Sequence, residues 1–74
     1  MENKIKQIMA AVFEIDTAAI NDDTGPENVD SWDSLKHMYL VAALEEEFEI
    51  KLNDEQINEL LNYRLICLVV KEFS

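Results

Sequence analysis

The sequence is poor in the residues that build tight turns and cross-links, since it contains one glycine, one proline and one cysteine. Small β domains need glycine or proline at many of their turns, so this scarcity argues against a β-sandwich or barrel. A single cysteine cannot form an internal disulfide, which is typical of proteins in reducing compartments. We therefore expect a cytoplasmic protein in which Cys67, between two apolar neighbours, is a small core residue.

Basic residues are also few: the sequence has 6 basic and 16 acidic residues, which gives a net charge of −10. This charge repels nucleic acid and anionic lipid, and it attracts proteins with basic surfaces. No apolar run approaches the ~18 residues of a membrane-spanning helix, and no basic, apolar-cored leader opens the chain. A length of 74 residues corresponds to one small domain. We expect a monomeric single domain over residues 1–74, with no nucleic-acid partner and no membrane span.

The helical spacing of apolar residues predicts four helices. The first spans residues 4–13, the second 34–48, the third about 54–61 and the fourth about 64–73. Branched residues in the last segment would also suit a strand, but a lone strand has nothing to pair with. Asn53 and Gln56 form a capping-box-like pair at the start of the third helix. The predicted fold is all-α, a four-helix bundle with a long first loop and a short third helix.

The long first loop concentrates acidic charge, because seven of the acidic residues lie between Glu14 and Asp33. We expect Ile15, Ile20 and Val29 to pin this loop to the core, with one helical turn near residues 17–20. The acid spacing does not fit an EF-hand, which needs glycine at its sixth position and glutamate at its twelfth. We therefore expect no dedicated metal site, while loose divalent binding by crowded carboxylates stays open.

The second helix carries two apolar stripes on opposite sides when its residues are placed at about 100° per step. One stripe, which we expect in the core, consists of Leu40, Val41, Leu44 and Phe48. The other consists of Leu35, Met38, Tyr39 and Ala42, bordered by Glu45 and Glu46. A helix in so small a bundle cannot bury both sides, so the second stripe should remain in solvent. Apolar residues scattered on a surface need no function, but a stripe beside an acidic rim indicates a docking surface.

Ser34 stands at the start of that helix, directly after Asp33, which is a good N-cap residue. An anion linked to the Ser34 hydroxyl would be stabilised by the positive end of the helix dipole. A nucleophilic serine would need a base oriented towards it. The only histidine, His37, follows three residues later and points in a different direction around the helix. We expect no catalytic activity from this chain, and a partly exposed His37.

The run Asp33-Ser34-Leu35, opening a helix that continues to LEEEFEIKL after a long acidic loop, resembles the acyl carrier protein family. The resemblance covers nearly the whole chain. It implies that 4′-phosphopantetheine from coenzyme A is attached to Ser34 by a phosphopantetheinyl transferase, which recognises Asp33 and is helped by it to position its metal and substrate. The thiol of this arm would carry acyl thioesters in fatty-acid, polyketide or related specialised biosynthesis. Partners would be an acyl-loading ligase or acyltransferase and a ketosynthase or other acyl-processing enzymes with basic docking surfaces.

The resemblance also assigns roles to residues along the second helix and beyond it. The implied partner contacts are Leu35, Lys36, Met38, Tyr39, Ala42, Glu45 and Glu46. The residues that would line a sheltered acyl chain are Val41, Leu44, Phe48, Ile57, Leu61 and Leu65. Simple core packing is the alternative role for this second set, and the sequence does not separate the two.

The chain departs from the family pattern at three positions near Ser34. Trp32 stands where many carriers have glycine or alanine, and Lys36 and Tyr39 stand where fatty-acid carriers are usually acidic. A base on the contact face weakens steering towards a strongly basic partner, which favours a dedicated carrier of a specialised pathway. The alternative is a non-covalent acidic interaction module that has no prosthetic group. Uptake of phosphopantetheine distinguishes the two.

Overall fold

Four α-helices and one 3₁₀ turn form the regular structure of residues 2–73, the part of the chain that the computed structural model describes. The helices are α1 (Glu2–Phe13), α2 (Ser34–Phe48), α3 (Asp54–Asn58) and α4 (Tyr63–Lys71), and the 3₁₀ turn spans Thr17–Ala19. The predicted all-α bundle with a long first loop and a short third helix is confirmed. Within residues 2–73 none of the helices is long and apolar enough to cross a membrane.

The core lies where α1 packs against α2 and, to a smaller extent, against α4. Helix α1 buries Ile5, Met9 and Phe13, which recur every four residues on one face. Helix α2 meets them with Leu40 and Leu44, both fully buried. Fully burying one such side chain stabilises the fold by about 1.5–3 kcal/mol relative to leaving it exposed. Helix α4 completes the core with Ile66, Cys67, Val69 and Val70.

Helices α1 and α2 are each followed by a glutamate in the left-handed region, with φ of 57° at Glu14 and 54° at Glu49. This conformation lets the amide of Ile50 donate to the carbonyl of Glu45 at 3.1 Å, which satisfies one of the unpaired carbonyls at the end of α2. Glycine is the residue that adopts this region without steric penalty. Both helix ends therefore hold a small amount of backbone strain.

The long loop between α1 and α2, which we call loop 1 (residues 14–33), is held against the α3–α4 junction. The amide of Tyr63 donates to the carbonyl of Thr24 at 2.9 Å. Gly25 approaches the backbone of Leu61 so closely that a Cβ at this position would collide with the Leu61 carbonyl oxygen. Glycine is required here for this close approach, and the contact fixes where loop 1 lies.

The branched apolar residues of loop 1 are buried or half-buried, as their positions in the sequence predicted. Ile20 and Val29 are buried and Ile15 is half-buried against the core, as expected. The helical turn expected near residues 17–20 is the 3₁₀ turn, and the Asp16 carboxylate caps it by accepting from the Ala18 amide at 3.0 Å. Loop 1 is therefore an ordered connection whose polar residues bond to one another and to the backbone.

The capping box predicted at the start of α3 is confirmed. The amide of Gln56 donates to the Asn53 side chain at 2.8 Å, and the amide of Asn53 donates to the Gln56 side chain at 3.0 Å. The two reciprocal bonds satisfy backbone donors that a five-residue helix would otherwise leave unpaired.

The helix ends differ from the sequence prediction by a few residues. Helix α3 ends at Asn58 and not near Leu61: the amides of Glu59 and Leu60 bond to carbonyls three residues back, and Asn62 already caps α4 by accepting from the Leu65 amide at 2.8 Å. An N-cap residue is extended, so the chain must leave α3 before it. Helix α4 accordingly starts one residue earlier than expected and ends at Lys71, and α1 begins at Glu2.

Candidate functional site

Ser34 is the first residue of α2 and its side chain is exposed. Asp33 precedes it in an extended conformation, and one carboxylate oxygen accepts from the amide of Lys36 at 2.8 Å. The carbonyl of Asp33 accepts from the amide of His37 at 2.8 Å, which is the first bond of the helix. The predicted N-cap is confirmed, and it places the Ser34 hydroxyl outside the first turn, open to solvent.

The segments on both sides of Ser34 are anchored to the end of α1. The Ser31 hydroxyl donates to the carbonyl of Phe13 at 2.9 Å, and the Lys36 ammonium donates to the carbonyl of Val12 at 3.2 Å. The ammonium also lies 3.7 Å from the Glu14 carboxylate. A cation at the carboxyl end of a helix is stabilised by the helix dipole.

The position of Lys36 changes how its role is interpreted. The sequence placed it among the partner contacts, whereas its charge is directed at the carbonyls that end α1 and its side chain is 28% exposed. Lys36 therefore joins α1 to α2 and presents less positive charge to an approaching partner than a freely extended lysine would.

A hydrogen-bonded chain of three residues runs beside Ser34. Trp32 stacks on Phe13 with ring centroids 4.2 Å apart, and its indole N–H donates to Nδ1 of His37 at 3.0 Å. Because an indole nitrogen can only donate, Nδ1 is the acceptor and Nε2 carries the proton. Nε2 then donates to the carbonyl of Ile57 at 2.9 Å. The chain ties loop 1, α2 and α3 together next to the exposed serine.

The pairing of Trp32 with His37 was not predicted from the sequence. His37 is half-buried, as expected, yet both of its ring nitrogens are engaged. The sequence does contain a pattern that predicts this contact. Trp32 directly precedes the N-cap and His37 is the fourth helical residue, and these are the two positions that pack together in a hydrophobic staple. No local pattern predicts the second partner of His37, the carbonyl of Ile57 on α3.

An open groove of about 450 Å³ begins at Asp33 and Ser34 and runs towards α3. Its remaining walls come from Pro26, Trp32, His37, Asn58 and Leu61. We call it the Ser34 groove. It combines apolar surface with one side-chain amide and one imidazole, and its residues come from three separate parts of the chain.

The apolar stripe on the outside of α2 is exposed, as predicted. The exposed fractions are 60% for Leu35, 51% for Met38 and 52% for Tyr39, and Ala42 is exposed as well. These four residues, which we call the α2 stripe, leave an apolar band in solvent beginning next to Ser34. Such a band beside charged residues is the usual form of a protein-docking surface.

The two glutamates expected to border the α2 stripe differ in their surroundings. Glu46 is exposed, whereas Glu45 is half-buried and accepts from the amide of Leu52 at 2.8 Å. This bond joins α2 to the segment before α3. Glu46 remains available to a basic partner, and Glu45 has a structural role in addition to its charge.

The six residues assigned to a sheltered acyl chain do not share one environment. Val41 and Leu44 are buried, Phe48, Ile57 and Leu65 are half-buried, and Leu61 is 57% exposed. Of this set only Leu61 lines the Ser34 groove. Its exposure follows from the early end of α3, which leaves it in the short connection before α4.

Cys67 is buried, as expected, and desolvation by that burial raises the pKa of its thiol. A thiol with a raised pKa is a poor nucleophile at neutral pH. Within the described residues 2–73 there is no group of three or more histidine, cysteine or acidic side chains arranged to hold a metal ion.

The family model for a phosphopantetheine attachment site matches residues 3–68, a range that contains the exposed Ser34. The acyl carrier protein of Treponema denticola is 43% identical over 56 residues, covering 76% of this chain and 72% of that protein. The solution NMR structure of holo acyl carrier protein from Geobacter metallireducens superposes with a TM-score of 0.84 at 28% identity, covering 96% of this chain and 82% of that one. The chain belongs to the acyl carrier protein family, and its prosthetic group is 4′-phosphopantetheine.

Proposed function

We propose that this protein carries acyl intermediates as thioesters on a 4′-phosphopantetheine arm attached to the Ser34 hydroxyl, and delivers them to the enzymes of a specialised biosynthetic pathway. The observation that carries the proposal is the exposed Ser34 at the capped start of α2, within a domain that matches the phosphopantetheine attachment family. The terminal thiol of the bound arm supplies the site at which the acyl group is held.

The residues around Ser34 suit such an arm. The Ser34 groove offers Pro26, Trp32 and Leu61 to methyl and methylene groups, and Asn58 offers an amide that can both donate and accept. Phosphopantetheine has both kinds of group, because it carries two amides and a dimethyl carbon. The positive end of α2 adds about 0.3–1 kcal/mol of stabilisation for a phosphodiester at its first residue.

The chain's own groups position the serine but do not activate it. Both nitrogens of His37 are bonded, one to Trp32 and one to the carbonyl of Ile57, so the imidazole is not free to act as a base for Ser34. The transferase would then supply the base that takes the hydroxyl proton as the serine oxygen bonds to phosphorus, the phosphoanhydride of coenzyme A breaks and adenosine 3′,5′-bisphosphate leaves. This supports a carrier that has no catalytic activity of its own.

The α2 stripe is the surface on which we expect the transferase, the acyl-loading enzyme and the acyl-processing enzymes to dock. Its apolar residues start beside Ser34, and Glu46 offers a carboxylate to their basic side chains. Tyr39 is uncharged and Lys36 is a base whose charge is directed at the end of α1, so neither residue adds negative charge to this face, which favours a dedicated pathway over housekeeping fatty-acid synthesis. On this reasoning Tyr39→Glu should raise kcat/KM with a housekeeping ketosynthase roughly threefold to tenfold, and Gln7→Glu on exposed α1 is the charge-matched control.

The attachment is tested by incubating the protein with coenzyme A and a broad-specificity phosphopantetheinyl transferase, followed by intact mass measurement. The wild type should gain the mass of one phosphopantetheine and Ser34→Ala should gain none. Ser31→Ala, which loses only the bond to the Phe13 carbonyl, should still be modified. Modification of Ser34→Ala would refute the assignment of the site.

The sequence left a non-covalent interaction module without a prosthetic group as the alternative, and the match to the phosphopantetheine attachment family argues against it. If the chain were such a module, the wild type would remain unmodified under conditions that convert a control carrier completely. A protein that stays unmodified would therefore overturn the carrier function and leave the α2 stripe as the site of its activity.

A further inference from the structure

We propose that Met38 is a reversible oxidation site: a peroxide converts its thioether to the sulfoxide, and the polar sulfoxide weakens the docking of partner enzymes on the α2 stripe. This inference rests on the proposed function, since it concerns the surface on which those enzymes are expected to dock. It adds a modification to a residue that has so far been treated only as an apolar contact.

The sulfur atoms of residues 2–73 differ in their access to solvent. They belong to Met9, Met38 and Cys67. Met9 is fully buried in the core, whereas Met38 is 51% exposed. Cys67 is buried as well, and burial raises the pKa of its thiol, which leaves little of the thiolate that a peroxide attacks. Of these atoms, the Met38 sulfur is therefore the one that a peroxide in solvent reaches.

Met38 lies within the α2 stripe, close to the attachment site. It follows Ser34 by one helical turn, and residues four apart in a helix are neighbours on the same face. Leu35 precedes it by three positions and Ala42 follows it by four, so exposed apolar residues flank it along the helix. Helical side chains lean towards the N-terminus, which directs Met38 towards the turn that contains Ser34. A change in its polarity therefore acts beside the serine.

The chemical step is the transfer of one oxygen atom from the peroxide to the thioether. With hydrogen peroxide, a lone pair of the sulfur forms the S–O bond while the O–O bond breaks. The departing hydroxide takes the proton of the transferred oxygen and leaves as water. The sulfur is oxidised and the peroxide is reduced by the same electron pair, so no further redox partner is needed. Methionine sulfoxide reductases return the sulfoxide to the thioether.

The donor side chains nearest in sequence to Met38 are already engaged. The Lys36 ammonium is directed at the carbonyl of Val12, and both ring nitrogens of His37 are bonded. The Ser34 hydroxyl is a donor one turn away, but a bond to it would occupy the group that the transferase modifies. A partner that covers the α2 stripe must therefore remove water from the sulfoxide oxygen without replacing its hydrogen bond. We expect this unpaired acceptor to weaken docking about tenfold.

The test uses the full chain in its apo form, because the thiol of the arm would itself be oxidised. The protein is treated with hydrogen peroxide, the peroxide is removed, and mass spectrometry with fragmentation locates the added oxygen. Met38 should gain one oxygen atom and Met9 none. Treatment should lower kcat/KM for modification by a phosphopantetheinyl transferase about tenfold, and methionine sulfoxide reductases should restore it. An unchanged kcat/KM after complete oxidation of Met38, or oxidation of Met9 in its place, would overturn the proposal.

Two matched variants assign the effect to one sulfur atom. Met38→Leu and Met9→Leu each replace one thioether by an apolar side chain of similar volume. Both keep Met1, which lies outside the described residues, so any effect of its oxidation is common to them. Each protein is compared with itself before and after peroxide. Treatment should leave Met38→Leu at its own untreated value and lower that of Met9→Leu as in the wild type. An equal loss in the two variants would refute the assignment to Met38.

Circular dichroism separates weaker docking from unfolding. The oxidised wild type should keep its helical signal, because Met38 is a surface residue of α2. Loss of that signal would refute the inference, since the lower kcat/KM would then follow from unfolding. An untreated protein that the transferase does not modify would refute the proposed function instead, so the two failures are distinguishable.

Discussion

The hydrogen-bonded series from Trp32 through His37 to the carbonyl of Ile57 gives a quantitative prediction about stability. Trp32→Phe keeps a ring to stack on Phe13 but removes the indole N–H, and it leaves Nδ1 of a half-buried imidazole without a donor. We expect this substitution to lower the free energy of unfolding by about 1–3 kcal/mol. His37→Ala removes both ring bonds and should lower it by a similar amount.

The bond between the two side chains is isolated by combining both substitutions in a double-mutant cycle. The double variant should lose about 1 kcal/mol less than the sum of the single losses, because the bond between Trp32 and His37 can be lost only once. Urea unfolding followed by circular dichroism measures all four proteins without relying on the tryptophan. The cavity left by the smaller phenylalanine ring contributes equally whether residue 37 is histidine or alanine, so it cancels in the cycle. If the loss in the double variant equalled the sum of the two single losses within about 0.3 kcal/mol, the bond between Trp32 and His37 would contribute nothing and the reasoning would be refuted.

Three further predictions concern stability. Gly25→Ala should destabilise the protein by about 1–3 kcal/mol in urea unfolding, because its Cβ meets the Leu61 carbonyl; an unchanged midpoint would contradict that contact. Burial raises the pKa of the Tyr63 phenol, so the unfolded chain loses the proton first. The contribution of Tyr63 to stability should be constant below about pH 10 and should decrease as the pH rises further; in Tyr63→Phe this part of the loss should be absent. Glu49→Gly should raise the free energy of unfolding by about 0.5–1 kcal/mol, because it relieves the left-handed backbone, whereas Glu47→Gly inside α2 should lower it by a similar amount.

The features that could be predicted from the sequence are those fixed by neighbouring residues. Asp33 caps α2 through a bond to an amide three residues away, and Asn53 and Gln56 cap α3 over the same short distance. The α2 stripe follows from helical spacing alone, and three of its side chains are half or more exposed as a result. Each of these features depends on local geometry that a residue type and a spacing determine.

The features that could not be predicted depend on contacts between distant parts of the chain. Lys36 bonds to the carbonyl of Val12, 24 residues away, and His37 bonds to that of Ile57, 20 residues away. Their neighbours in sequence do not indicate which backbone carbonyls the packing of the bundle will leave within reach. The exposure of Leu61 was not predicted for the same reason. It depends on where α3 ends relative to the start of α4, and the residues next to Leu61 in the sequence do not determine that point.

The central claim is that Ser34 carries the prosthetic group and, through it, the acyl cargo. The most direct measurement is mass spectrometry of the intact protein purified from its native host, followed by fragmentation to locate any modification. The account predicts one phosphopantetheine, free or acylated, on the peptide that contains Ser34. An unmodified Ser34, or the group on any other residue, would contradict it.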